Sequence, residues 1–309
     1  VEKFHPQSAI LKDLGKILLY FLAVILLGAL IAPPLYWWGQ AVAARGFLRF
    51  LAETEFQKFF NRAMLVTAAA LLWPTIRWLR IDGISAFGLQ PDPQWRSRLI
   101  AGFLIMGLCV AVLATAYMLG EVYRWKRTLP WGKIPPLFLT AAVVAGIEEA
   151  LFRAGILGLF RRTMRTGPAI VVTSAIFAAV HFLKPDDSVQ ITRVDWGSGF
   201  ALVPHVFHQF AEPMTLLAGF TTIFVLGLML ADVTVRTRSL WMAIGLHAGV
   251  VFVKMSFSKL TKHNGARLPW IGEEFQLGLV PILALLAGWF AARFWLKHCD
   301  ARNLSQSAK

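Results

Sequence analysis

Charge is scarce in this chain. Only 16% of its 309 residues are Asp, Glu, Lys or Arg, whereas soluble domains carry about a quarter. That deficit argues against an ordinary solvated globular surface. Acidic residues are the scarcer sign, 17 against 31 basic ones. Cysteine is nearly absent. Of the two, Cys109 lies within an apolar stretch and Cys299 near the C-terminal end, so neither a cysteine metal site nor a disulfide framework is implied. There is no His-Glu-x-x-His helix, no internal repeat and no low-complexity tract. No small-residue cleavage site follows the first apolar run. The run, which ends in Pro33-Pro34, is therefore expected to stay as the first spanning helix.

What is abundant is apolar: 57% of the chain, with a mean hydropathy of +0.60. These residues fall in blocks of about twenty, the length a helix needs to cross a bilayer core. The blocks are 16–38, 59–79, 98–119, 135–160, 167–183, 215–233, 239–257 and 277–296. The expected fold class is all-α, a multi-spanning transmembrane helical bundle of about eight helices. Many of the twelve tryptophans, Trp37, Trp73, Trp131 and Trp241 among them, stand at block ends, where interfacial rings anchor helices. The second block carries Trp73-Pro74, where a kink is expected. Residues 47–60 mix Phe and Leu with Arg49, Glu53, Glu55 and Lys58, a pattern for a helix lying on the surface. Residues 81–93 read as a loop, and 184–213 as a long membrane-associated loop. The net charge is +14. With the basic residues between apolar blocks, anionic lipid is the expected partner and nucleic acid is not. Basic residues divide too evenly between alternate loops for the chain's orientation to be read.

A few polar residues stand where a structural helix would carry leucine. Glu148 and Glu149 fall deep inside a block, and Asp232 near the end of another. A charge at the centre of an isolated spanning helix costs about 3 kcal/mol. Such residues persist by pairing, by facing a polar interior, or by working. Glu149 and Arg153 are four apart, acid before base, the favoured spacing for a helical ion pair. Glu148 points about 100° away, off the face of the Glu149–Arg153 pair, which makes it a candidate general base. The next block carries Phe177-Ala-Ala-Val-His181, with Phe and His on one face, and a later one carries Gly245-Leu-His247-Ala-Gly249. Glu148, His181 and His247 lie roughly 10–20 Å into their helices. Neighbouring helices alternate in direction, so the three are expected to meet at similar depth. Taken one at a time, each of these residues also fits a polar packing cluster or an interfacial histidine.

Together they resemble the CAAX prenyl protease and bacteriocin-processing family of intramembrane endopeptidases, also called the abortive-infection family. Its pattern is Glu-Glu-x-x-x-Arg, Phe-x-x-x-His and His-x-x-x-Asn on successive helices. Here these are Glu148-Glu149-Ala-Leu-Phe-Arg153, Phe177-Ala-Ala-Val-His181 and His247-Ala-Gly-Val-Val251, with valine in the asparagine place. The likeness covers about residues 134–257. It divides the chain into 1–133 (N-terminal helices), 134–257 (core) and 258–309 (C-terminal helix and tail).

The resemblance implies a glutamate-type peptidase that needs no cofactor and acts on a membrane-anchored protein or peptide. Glu148 would activate a water with His181, Glu149 and Arg153 would support, and His247 would stabilise the oxyanion. Lys254, His205 and His208 are the candidates to replace the missing asparagine donor. Three other readings fit the same residues: a zinc peptidase ligated by the Glu and His side chains, a transporter using buried acids as a proton relay, and a non-catalytic membrane scaffold or immunity protein.

Overall fold

A computed structural model of the chain describes residues 6–78, 89–183, 185, 189, 191–265, 269–272 and 274–307. Each of the eight apolar blocks is helical. The elements are α1 (Pro6–Ala44), α2 (Phe56–Trp78), α3 (Trp95–Leu119), β1 (Tyr123–Trp125), α4 (Pro135–Glu149), α5 (Gly158–Thr163), α6 (Thr166–Val180), α7 (Ser198–Leu202), α8 (Pro213–Thr237), α9 (Trp241–Leu260), β2 (Thr261–His263) and α10 (Val280–Ser307). A π-helical stretch, Ala150–Leu157, joins α4 to α5 without a break. Among the described residues six helical segments are long and apolar enough to cross a membrane: Leu14–Ala44, Trp95–Leu119, Trp131–Thr163, Leu216–Thr237, Trp241–Leu260 and Val280–Cys299. Their outer faces carry exposed leucine and phenylalanine, such as Leu22 and Leu26 on α1, Leu104 and Leu108 on α3, and Phe290 on α10. Water would penalise so much contiguous apolar surface, and lipid does not. The protein is an integral, multi-pass membrane protein.

The helices sort into two compact units that do not follow chain order. The first comprises Val1–Asp82, Arg162–Met164 and Ala179–Leu216, and the second comprises the remaining segments Gly83–Arg161, Arg165–Ala178 and Leu217–Lys309.

In the first unit α1 packs on α2, with the Tyr20 hydroxyl donating to the Ala68 carbonyl at 2.6 Å. Ala29, Ala32, Phe56, Phe60 and Ala63 form the core with Leu202 and Val206. The last two come from the stretch expected to be a long loop. Its residues 198–211 are instead ordered as α7 followed by a 3-10 helix, Val203–Ala211. α1 extends beyond the expected block 16–38, running through Pro33 and Pro34 to Ala44. Prolines inside a helix remove backbone hydrogen bonds. Here both flanks are held by packing, Ala29 and Ala32 before them and Tyr36 after, edge-on to Phe56 and Phe59. The expected surface helix over 47–60 does not form. Leu48 adopts a left-handed conformation (φ 47°), only Arg49–Leu51 forms a 3-10 turn, and Phe56, Phe59 and Phe60 are already buried as part of α2. Of the loop expected at 81–93, residues 81–88 lie outside the described set.

In the second unit α9 lies at the centre, packed on α3 along one side and on α4 along another. Gly245 and Gly249 are four apart and so share a face, and both abut the α3 backbone. A Cβ on Gly249 would sit 2.7 Å from the Phe103 carbonyl oxygen, and one on Gly102 would sit 2.6 Å from that of Met242. Small residues at a membrane helix crossing allow this approach. His247, between the two glycines in sequence, points away from that face. β1 and β2 pair antiparallel at the C-terminal end of α9, Tyr123 opposite His263. Nothing in the apolar periodicity announces these three-residue strands. Burial, with Glu274 close by, pushes the Tyr123 phenol up to about 12.

Candidate active site

Glu148 and Glu149 end α4, just where the backbone widens into the π-helical stretch that carries Arg153. The helical reading assumed an uninterrupted α-helix through this point, and π segments of this kind cluster at functional sites. The Glu149 carboxylate is fully buried. Its Oε2 lies 3.1 Å from Nε of Arg153, itself only 1% exposed. Its Oε1 lies 2.8 Å from Nδ1 of His247 on α9. Across the same imidazole, Nε2 is 3.7 Å from Oε2 of Glu148. His247 thus stands between two carboxylates of one helix. Glu148 is the more accessible of them, 20% exposed against 0% for Glu149.

Phe177 of α6 supplies the floor. The Arg153 guanidinium lies 4.3 Å from its ring centroid, a cation–π contact in a dry setting. The same ring meets His247 and Phe152 edge-on, at 6.0 Å and 4.9 Å between centroids. Nη2 of Arg153 is 3.5 Å from the Gly227 carbonyl oxygen on α8. A buried guanidinium needs these partners, because desolvating it is expensive. Among the described residues no group of three or more His, Cys, Asp or Glu is arranged to hold a metal ion.

The sequence paired Glu149 with Arg153, and that pair is present. It did not connect Glu149 to His247, because spacing along a helix reports neighbours on that helix and says nothing of residues 98 positions away. Gly227 likewise had no signal. Val251 and Lys254 follow His247 on α9 and are half-buried. Lys254 is two turns on, roughly 10 Å along the axis. His181 lies in the turn after α6 and belongs to the first compact unit, as do His205 and His208. His205 is exposed, and its carbonyl oxygen pairs with Nδ1 of His208 at 3.1 Å.

Residues 130–253 match the family model described as type II CAAX prenyl endopeptidase Rce1-like. That segment is similar to the Rce1-like family. The match agrees with the resemblance carried by the three motifs, and it runs from the turn before α4 to α9. Every member of the contact chain from Arg153 to Glu148, with Phe177 and Gly227, lies inside the Rce1-like segment. No curated protein and no solved structure matches the chain.

Proposed function

We propose that the protein is an intramembrane endopeptidase that hydrolyses a peptide bond in a membrane-associated protein or peptide. The Rce1-like match supports a CAAX-type membrane protease in general. The observation that carries the finer reading is the contact chain Arg153–Glu149–His247–Glu148, with steps of 3.1, 2.8 and 3.7 Å.

Each link has a chemical task. Arg153 offsets the charge of Glu149 in an apolar setting. Ionised Glu149 accepts the Nδ1–H of His247, which sets the ring's orientation and leaves Nε2 facing Glu148. Glu148 then takes a proton from a water as the water oxygen bonds to the scissile carbonyl carbon. His247 donates from Nε2 to the developing oxyanion. As the tetrahedral intermediate collapses, the C–N bond breaks and Glu148 returns the proton to the departing amine. His181 is proposed as the second group orienting the water, on the motif Phe177-x-x-x-His181.

The test compares membranes from cells producing wild type or Glu148→Gln, with and without chelator, by mass spectrometry of newly formed termini. A farnesylated CAAX peptide and its unprenylated form serve as added probes. Wild type is expected to generate cleavage products that Glu148→Gln does not, equally in chelator, with both proteins folded to the same yield. Identical termini in the two membranes and both peptides intact would overturn the enzyme reading in favour of a scaffold or transporter.

A further inference from the structure

Away from this site, the second unit carries a cavity of about 490 Å³ lined by Arg98, Arg236, Thr237, Arg293, Leu296 and Lys297. Four of these six side chains are basic and none is acidic. They come from three spans: the start of α3, the end of α8 and the later part of α10. Among the described residues the local carboxylates do not balance them. Asp232 accepts from Arg293 Nε and Nη2 at 2.8 and 2.9 Å, from Arg236 Nε at 2.9 Å, and from the Trp289 indole at 2.8 Å. Asp92 accepts from Arg98 at 2.9 Å. Among the described residues these two carboxylates pair with three of the four cations. The Nε of Arg98 is buried and has no hydrogen-bond partner among the described residues.

The surroundings are those of a membrane interface. Trp95 and Trp241 lie 5.0 Å apart at this end of α3 and α9, in the position of interfacial anchors. Along α10, Leu283, Leu286, Phe290 and Phe294 are all exposed at helical spacing, so an apolar track leads up to Arg293 and Lys297. The volume falls in the range of small-molecule pockets. Basic pockets between spanning helices suit phosphate-bearing headgroups, and the track beside this one suits acyl chains.

We propose that this cavity binds the phosphate of an anionic lipid headgroup, with the lipid chains lying along α10. The test is native mass spectrometry of the full chain, released from detergent supplied with phosphatidylglycerol or phosphatidylcholine. Phosphatidylglycerol is expected to be retained preferentially. The pair Arg236→Gln with Lys297→Gln leaves the Arg293–Asp232 contact in place and should weaken retention roughly 20-fold, at about fivefold per charge near the surface. Because the whole chain is basic, a second pair removes the same charge elsewhere. Arg127→Gln with Lys259→Gln lies at the far end of α9 and should leave retention unchanged. Equal retention of the two lipids would overturn the proposal, as would equal loss in both pairs or no loss in the first pair. Excess inorganic phosphate should not displace the lipid. Displacement, with phosphate itself retained by wild type and not by the first pair, would assign the cavity to free phosphate and overturn the lipid.

Discussion

At the scale of single residues, the site is organised around one imidazole. His247 is 3% exposed and touches Glu149 directly. Its replacement by alanine removes the proposed oxyanion donor, a loss typically of about 10²–10³ in rate. Cleavage by His247→Ala should fall by at least roughly 10²-fold with folding intact, and full activity in that variant would remove His247 from the mechanism. Arg153 has a different task. It is held by Glu149, Gly227 and Phe177, so Arg153→Ala strands a buried carboxylate. The expected cost is about 3–5 kcal/mol, read as a loss of folded yield in detergent. Arg153→Lys should not restore that yield, since a compact ammonium cannot reproduce both the planar stack and the carboxylate contact. Val251 stands one turn after His247, on the same face, where the family pattern has asparagine. Valine offers no donor, so Val251→Asn should raise turnover on the same substrate. An unchanged rate would mean that the oxyanion is already fully served by other groups.

At the scale of elements, the decisive contact is α3 against α9. Gly102, Gly245 and Gly249 let the two backbones meet, and this fixes which way His247 faces on the α4 side. Gly249→Leu would drive a side chain into the Phe103 carbonyl and the Gly107 backbone, where nothing flexible can yield. Overpacking of this kind costs about 1–3 kcal/mol. The variant should show a lower midpoint of thermal unfolding in detergent, together with reduced cleavage. Gly146 on α4 is the contrast, because a Cβ there meets nothing within 4 Å. Gly146→Ala should leave the midpoint unchanged or raise it, helix propensity adding up to about 1 kcal/mol of stability. A greater loss in Gly146→Ala than in Gly249→Leu would contradict the packing account.

At the scale of the whole molecule, α9 is 20 residues long, about 30 Å at helical rise, the thickness of a bilayer core. Its two ends carry different chemistry. The Trp241 end adjoins the basic cavity, and the Leu260 end adjoins the β1–β2 pair. Cysteines introduced at exposed positions near each end, Arg127→Cys and Lys297→Cys, should therefore label from opposite sides of the membrane. The background would be Cys109→Ala with Cys299→Ala, since both native cysteines are free thiols. An impermeant maleimide added to sealed vesicles should modify one position, and inverted vesicles should reverse the result. Labelling of both positions from the same side would rule out α9 as a span. The same measurement supplies the orientation that the even spread of basic residues left open.

The sequence by itself determined the helical class and the membrane setting. These are local properties. A bilayer demands runs of about twenty apolar residues, and that demand makes Glu148, Glu149, Arg153 and His247 conspicuous wherever they fall. Ion pairing at four-residue spacing is also local, and Glu149–Arg153 was legible for that reason. What the sequence could not supply was anything that depends on which helices become neighbours. The Glu149–His247 hydrogen bond, the Phe177 floor under Arg153, the gathering of Arg98, Arg236, Arg293 and Lys297, and the passage of α1 through Pro33 and Pro34 were all decided by tertiary structure. In each case residues far apart in the chain are brought together by helix packing, whose free energy belongs to the assembled helices and not to any one of them.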